Sequence, residues 1–277
     1  LDFGPEAINT IDDLQARWYA HWLKGADNGV ADEPPVRLFV MGENRWRDEA
    51  EWPLARAVPT SYYLHSAGRA NSLYGDGALS GAAPADEYPD VFVYDPAAPV
   101  SSMGGHSCCF PDIAPMGPAD QRGVERRNDV LVYTSAPLSG DLEVTGPVRL
   151  TLWAATTAVD TDFTAKLVDV YPDGLAINLC DGLARARYRA SLVQPEPITP
   201  DQVYQYTIAV GSTSNLFRAG HRLRLEVSSS NFPQYDRNLN TGQEVGVGTL
   251  ASRVTATQTV YHDAARPSRL LLPVIPR

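Results

Sequence analysis

Lysine is almost missing from this chain: of 23 basic residues only Lys24 and Lys166 are lysines. So few lysines leave no Ser-x-x-Lys nucleophile pair and no Gly-x-x-x-x-Gly-Lys loop to cradle a phosphate. Gly-x-Ser-x-Gly, the sharp turn that presents a hydrolase serine above a sheet, is absent, and so is His-Glu-x-x-His. Cysteine is scarce. Cys108 and Cys109 are adjacent and Cys180 stands alone, so the three make no disulfide framework, and no Cys-x-x-Cys or histidine pair completes a zinc site. No metal and no cofactor is therefore expected. Apolar runs stay well short of the ~18 residues a membrane helix needs, and the opening Leu1-Asp2-Phe3-Gly4 lacks the basic and apolar regions of a signal peptide. With 33 acidic residues the formal charge is -10, which repels phosphate backbones and anionic lipid, so neither nucleic acid nor membrane is an expected partner. The compartment stays open.

What is present is a globular composition, 44% hydrophobic over 277 residues, enough for a packed core. Ile11, Leu14, Trp18 and Trp22 fall on one helical face, Thr10 with Asp13 forms a capping-box entry, and Gly25 ends the run, which predicts a helix from Ile11 to Lys24. After Pro34-Pro35, the run Val36 to Met41 reads as a strand buried on both faces. Beyond about residue 60 short β-branched and aromatic runs recur between turns. The strands expected are Ser61 to His65, Asp129 to Thr134, Leu142 to Val144, Val148 to Ala154, Thr164 to Tyr171, Ala176 to Leu179, Ala184 to Ser191, Val203 to Val210, Arg222 to Ser228, Ala256 to Tyr261 and Ser268 to Leu272. Alternation is clearest at Arg222 to Val227, where Leu223, Leu225 and Val227 turn to a core and Arg222, Arg224 and Glu226 turn out. Asp173-Gly174 signals a hairpin. Eleven short strands fit a two-sheet sandwich of jelly-roll type. The stretch from Gly68 to Gly123 has almost no periodicity, and a loop that long is usually functional.

Five histidines, His21, His65, His106, His221 and His262, are the candidate bases. His21, His65 and His221 occupy ordinary packing or turn positions. His106 differs because it lies in the long loop, in Gly104-Gly105-His106-Ser107-Cys108-Cys109, where two glycines let the backbone approach closely and a thiol pair follows. A pocket wall is expected there, more than a Cys-His nucleophile. Asp160, Asp162, Asp169, Asp173 and Asp181 invite a calcium or glycosidase reading, but the Asp-x-Asp-x-Asp-Gly spacing is missing and turn or edge-strand roles are expected. The run Ser228 to Asn238 combines amides with Phe232 and Tyr235, which suits either a sugar-binding loop or one that docks on another domain.

Longer motifs carry a resemblance. Asp160-Thr161-Asp162-Phe163-Thr164-Ala165-Lys166-Leu167-Val168-Asp169-Val170-Tyr171-Pro172-Asp173-Gly174, Cys180-Asp181-Gly182, Ala219-Gly220-His221-Arg222, the run from Ser228 to Asn238 and Asn240-Thr241-Gly242 resemble the C-terminal region of the CocE/NonD serine hydrolases. That family includes X-Pro dipeptidyl-peptidases, cocaine esterases and α-amino-acid ester hydrolases. Asp90 to Pro96, Gly117 to Arg122 and Arg127 to Leu131 extend the match over nearly the whole chain. The resemblance implies a mainly β fold, a jelly-roll, galactose-binding-like sandwich over 59–277, preceded by the last αβ unit of an α/β-hydrolase catalytic domain over 1–58. It implies that the Ser-His-Asp triad precedes Leu1, so that no catalytic residue lies in the chain. The partners implied are the N-terminal catalytic domain and a small ester, amide or peptide substrate, with a homo-oligomer also open. His106, Ser107, Cys108 and Cys109 would line the substrate pocket, and Trp18, Trp22, Phe232 and Tyr235 would face the other domain. The rival reading is a stand-alone jelly-roll module that binds carbohydrate or another ligand.

Overall fold

In the computed structural model residues 2–106, 112–244 and 246–277 are described. The helix forms as expected, α1 over Ile11–Lys24, and Gly25 closes it in a left-handed conformation with its N–H on His21 O at 3.0 Å. Its start differs from expectation. Thr10 makes no side-chain cap, and the Ile11 N–H is taken by Asn9 Oδ1 at 3.0 Å. No residue of α1 is buried.

Two short strands follow, β1 (Val36–Val40) and β2 (Arg45–Glu49), paired antiparallel. β1 is not buried on both faces. Only Val40 is buried, and Phe39 packs edge-on against Trp46. β2 was hidden from the sequence because four of its five residues are charged beside a lone tryptophan.

The other eleven strands are β3 (Val58–His65), β4 (Ala78–Ser80), β5 (Asp90–Tyr94), β6 (Leu131–Ser135), β7 (Leu142–Thr156), β8 (Asp162–Val170), β9 (Ala176–Arg185), β10 (Tyr204–Phe217), β11 (Arg222–Ser228), β12 (Ala256–Tyr261) and β13 (Arg269–Ile275). They form one sheet in the order β5-β12-β7-β13-β3-β4-β6-β11-β8-β9, with β10 on the second edge of β7. Every pair is antiparallel except β4–β6. The sheet curls until β9 lies against β10, so closely at Gly182 that a Cβ there would stand 1.9 Å from Ala209 O. Inside the curl sits the core, with Leu150, Leu152, Leu167, Ile208 and Leu225 fully buried and Phe163 packed on Tyr206.

Two strands expected as separate pieces are continuous. β7 runs through Gly146-Pro147, because the β13 ladder skips there, between Leu271 and Val274, where Pro273 also lacks an N–H to donate. β9 reaches Arg185 and then turns into a short 3-10 turn over Ala186–Tyr188, not a strand to Ser191. The Asp173-Gly174 hairpin joins β8 to β9 with Gly174 at φ +88°.

The outward face of β11 departs most from expectation. Leu223, Leu225 and Val227 enter the core, yet Arg224 and Glu226 are buried as well. A 3-10 turn, Gln121–Arg126, covers this second face and supplies buried Gln121 and Glu125. All nine residues of β8 are buried for the same reason, Lys166 among them.

Candidate functional site

The Gly-Gly pair brings His106 to a defined place. Gly104 and Gly105 both have positive φ, and Gly105 exchanges two 2.8 Å backbone hydrogen bonds with Gly117. A Cβ on Gly105 would stand 2.6 Å from Gln234 Oε1 and 2.9 Å from Asp181 Oδ1, so only glycine lets the chain pass. The strip 100–106 is zipped to the loop after β11: Phe232 N donates to Val100 O at 2.9 Å, Ser102 N donates to Phe232 O at 2.7 Å, and Gln234 N donates to Ser102 Oγ at 3.1 Å.

His106 thus emerges over the buried Asp181 of β9, with Nδ1 at 3.2 Å from Asp181 Oδ1. Oδ2 of the same carboxylate accepts from Gln234 Nε2 at 2.6 Å and Asn231 Nδ2 at 3.0 Å. An acceptor-only carboxylate at Nδ1 fixes a proton there and leaves Nε2 outward. The His106 side chain is 64% exposed and Asp181 3%. Tyr235 stands edge-on to the imidazole at 6.0 Å, its hydroxyl 3.4 Å from Nε2. This is an imidazole oriented by a buried acid at the protein surface, beside a groove of about 730 Å³ that Gln234 and Tyr235 share with Arg185, Tyr188, Arg189 and Tyr206.

Of the residues expected at the site, His106 and Tyr235 meet. Phe232 lies nearby, half-buried under the Arg237 guanidinium at 4.4 Å. Ser107, Cys108 and Cys109 lie outside the described residues. Trp18 and Trp22 are elsewhere, their rings tilted against each other with centroids 5.7 Å apart on the open face of α1, where they line a concavity of about 1100 Å³ with Leu14, Val30, Pro34 and Trp46. Asp181 and Gln234 were missed as His106 partners, and so was Asn231 as a donor to Asp181. The spacing that joins them, 75 residues from His106 to Asp181, carries no local signal.

The amide-rich loop is turned inward. Asn238 Nδ2 donates to Asp160 Oδ2 at 2.8 Å and Asp162 Oδ1 at 2.9 Å, and Asn240 Nδ2 donates to Val254 O at 2.7 Å. Asp160 and Asp162 are internal ion-pair partners, against expectation: Arg185 grips both oxygens of Asp162 at 3.0 Å, and Arg187 Nε donates to Asp160 at 2.8 Å, while Asp181 does lie on the end strand β9. Burial raises the Asp162 pKa, an effect Arg185 offsets in part. Asp173 alone keeps a turn role, accepting from Leu175 N. Among the described residues no group of three or more His, Cys, Asp or Glu side chains is arranged to hold a metal ion.

Among the described residues two serines meet a histidine backed by an acid. Ser80 Oγ is 3.0 Å from His65 Nε2, with Glu87 Oε1 2.7 Å from Nδ1, but that Nε2 also faces Ala82 O at 3.1 Å, to which it donates, so it takes no proton from Ser80. The second is Ser66. Ser66 Oγ is 3.1 Å from His262 Nε2, and His262 Nδ1 is 3.2 Å from Glu87 Oε2. It is not a nucleophile. Nε2 also faces Asp90 Oδ2 at 2.9 Å, to which it must donate, so it has no lone pair for the serine proton. Ser66 itself donates to Asp90 at 2.8 Å, and His262 is wholly buried. The other histidines hold the packing roles expected: His21 Nδ1 donates to Ala26 O, His65 Nδ1 meets Glu87 at 2.7 Å, and His221 meets Asp169 at 2.8 Å.

The chain has known relatives. A family model described as the X-Pro dipeptidyl-peptidase C-terminal non-catalytic domain matches residues 28–271. Cocaine esterase of Rhodococcus sp. (strain MB1 Bresler) is 47% identical over 278 residues, covering 99% of this chain and 48% of that protein. Among solved structures, an aminopeptidase from a marine sediment Thaumarchaeota archaeon superposes with a TM-score of 0.80 at 30% identity, over 96% of this chain and 44% of that one. An α-amino acid ester hydrolase follows at 0.77 and 29%, over 96% and 45%. The chain spans at most about half the length of these relatives.

Proposed function

Since the chain belongs to the X-Pro dipeptidyl-peptidase C-terminal domain family, and so to the C-terminal region of the CocE/NonD hydrolases, we propose that it is the C-terminal portion of a serine ester or amide hydrolase. In this reading the Ser-His-Asp triad lies on a catalytic domain outside these 277 residues. Residues 1–58 are the end of that α/β-hydrolase domain and 59–277 are a jelly-roll, galactose-binding-like companion. The observation that carries the reading is the uncovered apolar surface of α1 and its neighbours. Leu14, Trp18 and Trp22 are 43–60% exposed on one helical face, contiguous with Val30, Pro34 and Trp46. A contiguous apolar concavity of this size marks an interaction surface, and the occupant proposed is the rest of the hydrolase.

His106, oriented by Asp181 and flanked by Tyr235, forms in this reading one polar wall of the substrate pocket, with the loop to Cys109 continuing it. Its role is lining and orientation, while bond cleavage belongs to the triad through acyl transfer. The test is to assay an aryl ester with the 277-residue chain alone and mixed with the N-terminal half of the Rhodococcus cocaine esterase. No turnover alone, a stable complex and turnover on mixing support the proposal, and Trp18→Gln with Trp22→Gln abolishes the complex. Saturable turnover by the chain alone overturns it.

A further inference from the structure

The buried cluster around His262 takes no part in that reading. It joins five parts of the fold: His65 and Ser66 at the end of β3, Glu87 in the stretch before β5, Asp90 at the start of β5, Tyr133 of β6, and His262 just after β12. His262 and Asp90 are both 0% exposed. One ring nitrogen of His262 faces Asp90 Oδ2 at 2.9 Å, the other Glu87 Oε2 at 3.2 Å. Ionised carboxylates only accept, so an imidazole with a carboxylate at each nitrogen satisfies both only when it carries two protons.

The two carboxylates reach on to the chain that follows β3. Glu87 Oε2 accepts from Ser66 N at 3.1 Å and its Oε1 meets His65 Nδ1 at 2.7 Å. Asp90 Oδ1 accepts from Ala70 N at 2.7 Å, and Oδ2 accepts from Tyr133 Oη at 2.7 Å. We infer that His262 is a buried imidazolium clamp, which in its doubly protonated form holds Glu87 and Asp90 together and so fastens the segment between β3 and β5 to the sheet. Loss of one proton removes the imidazole's bond to one of the two carboxylates and loosens that segment.

The groups facing His262 from each side agree with this. Glu87 and Asp90 are its direct partners, His65 lies beyond Glu87, and the Tyr133 ring stands edge-on at 6.2 Å with its hydroxyl on Asp90. Asp263, next in the chain, is engaged by Arg266. Burial, the largest single influence, lowers the His262 pKa, but the bond to Asp90, its charge and then Glu87 outweigh it, and the net direction is up. A raised folded pKa means the stabilisation is complete below the ordinary value of 6.5 and is lost as pH rises through the folded value.

Two readouts on the 277-residue chain test the clamp. Nitrogen-detected NMR of the His262 ring at pH 6.5 is expected to show both nitrogens protonated. Hydrogen exchange, corrected for intrinsic rate and referenced to Leu167 in β8, is expected to show Ser66 and Ala70 losing protection at least tenfold between pH 6.5 and 9. In His262→Gln those amides are expected to be less protected and insensitive to pH. If that variant fails to fold, Glu87→Gln serves, because it removes one carboxylate and is expected to lower the pH at which the ring titrates. A singly protonated ring at pH 6.5, or Ser66 and Ala70 protection that follows Leu167 at every pH, overturns the inference.

Discussion

Replacing Glu226 by Gln is expected to make the protein more stable above neutral pH and to remove a pH dependence the wild type carries. Glu226 lies on the second face of β11, where Oε2 is 3.5 Å from Lys166 Nζ and Oε1 has no partner. Glu125, whose other oxygen accepts from Arg224 Nη1 at 2.7 Å, presents a second unpartnered oxygen. Burial is the main cause that pushes Glu226 up from 4.5 to about 7; Lys166 works against it and the Glu125 charge adds to it. Because the folded pKa is raised, the protonated form is the stabilised one. Stability is complete below pH 4.5 and falls as pH rises through about 7. At about 1.4 kcal/mol per pH unit the loss is on the order of 3 kcal/mol, or roughly 6–12 °C in midpoint for a chain of this size. Glutamine has the same shape and never ionises. Thermal unfolding followed by circular dichroism at constant ionic strength should give nearly equal midpoints at pH 5, with the variant well above the wild type at pH 8. Parallel curves for the two proteins across that range would refute the reasoning.

Gly182→Ala should unfold the chain or cost more than about 3 kcal/mol in denaturant titration, because its Cβ would meet the backbone carbonyl of Ala209 at 1.9 Å and neither strand can yield. Asp181→Asn should cost about 2–3 kcal/mol by the same titration, since an amide directs donors at Gln234, Asn231 or His106, and the His106 ring resonances should broaden as its orientation is lost. The midpoint-against-pH curve of the wild type should peak on the acid side of neutrality. Glu143, whose burial opposes but does not outweigh Arg47, Thr145 and Arg277, has a lowered pKa and loses its contribution as pH falls below 4.5, while Glu226 and His262 lose theirs as pH rises.

Much of the fold was legible because strands with one apolar parity declare themselves. β6, β8, β11, β12 and β13 lie within a few residues of where their patterns placed them, while β10 starts where expected and runs on past Val210 to Phe217. β5 did not, and the cause is physical: in Asp90-Val91-Phe92-Val93-Tyr94 the exposed positions are valines, so polarity does not alternate although burial does. The expectation that Val36 to Met41 is buried on both faces failed differently. An apolar run predicts burial only if something covers it, and among the described residues β1 has β2 on one side and little over its faces.

The same limit explains the site. Periodicity told which way Arg224 and Glu226 point but not what lies there, and the cover proved to be the 3-10 turn Gln121–Arg126 inside the stretch that had no periodicity at all. Such a stretch is aperiodic because its side chains serve a sheet already built: Gln121 Oε1 accepts from Lys166 Nζ at 2.7 Å, and Gly104-Gly105 lets His106 settle on Asp181. Each of these contacts joins residues far apart in sequence. Residue type alone marks His106, through its glycines, while the amides and aromatics of the loop after β11 suit either sugar binding or docking on another domain. The buried aspartates claim those amides first, since a carboxylate inside a protein must find donors before any ligand arrives. What the loop then presents outward is the edge of Tyr235 beside an oriented imidazole, a surface suited to forming one wall of a pocket.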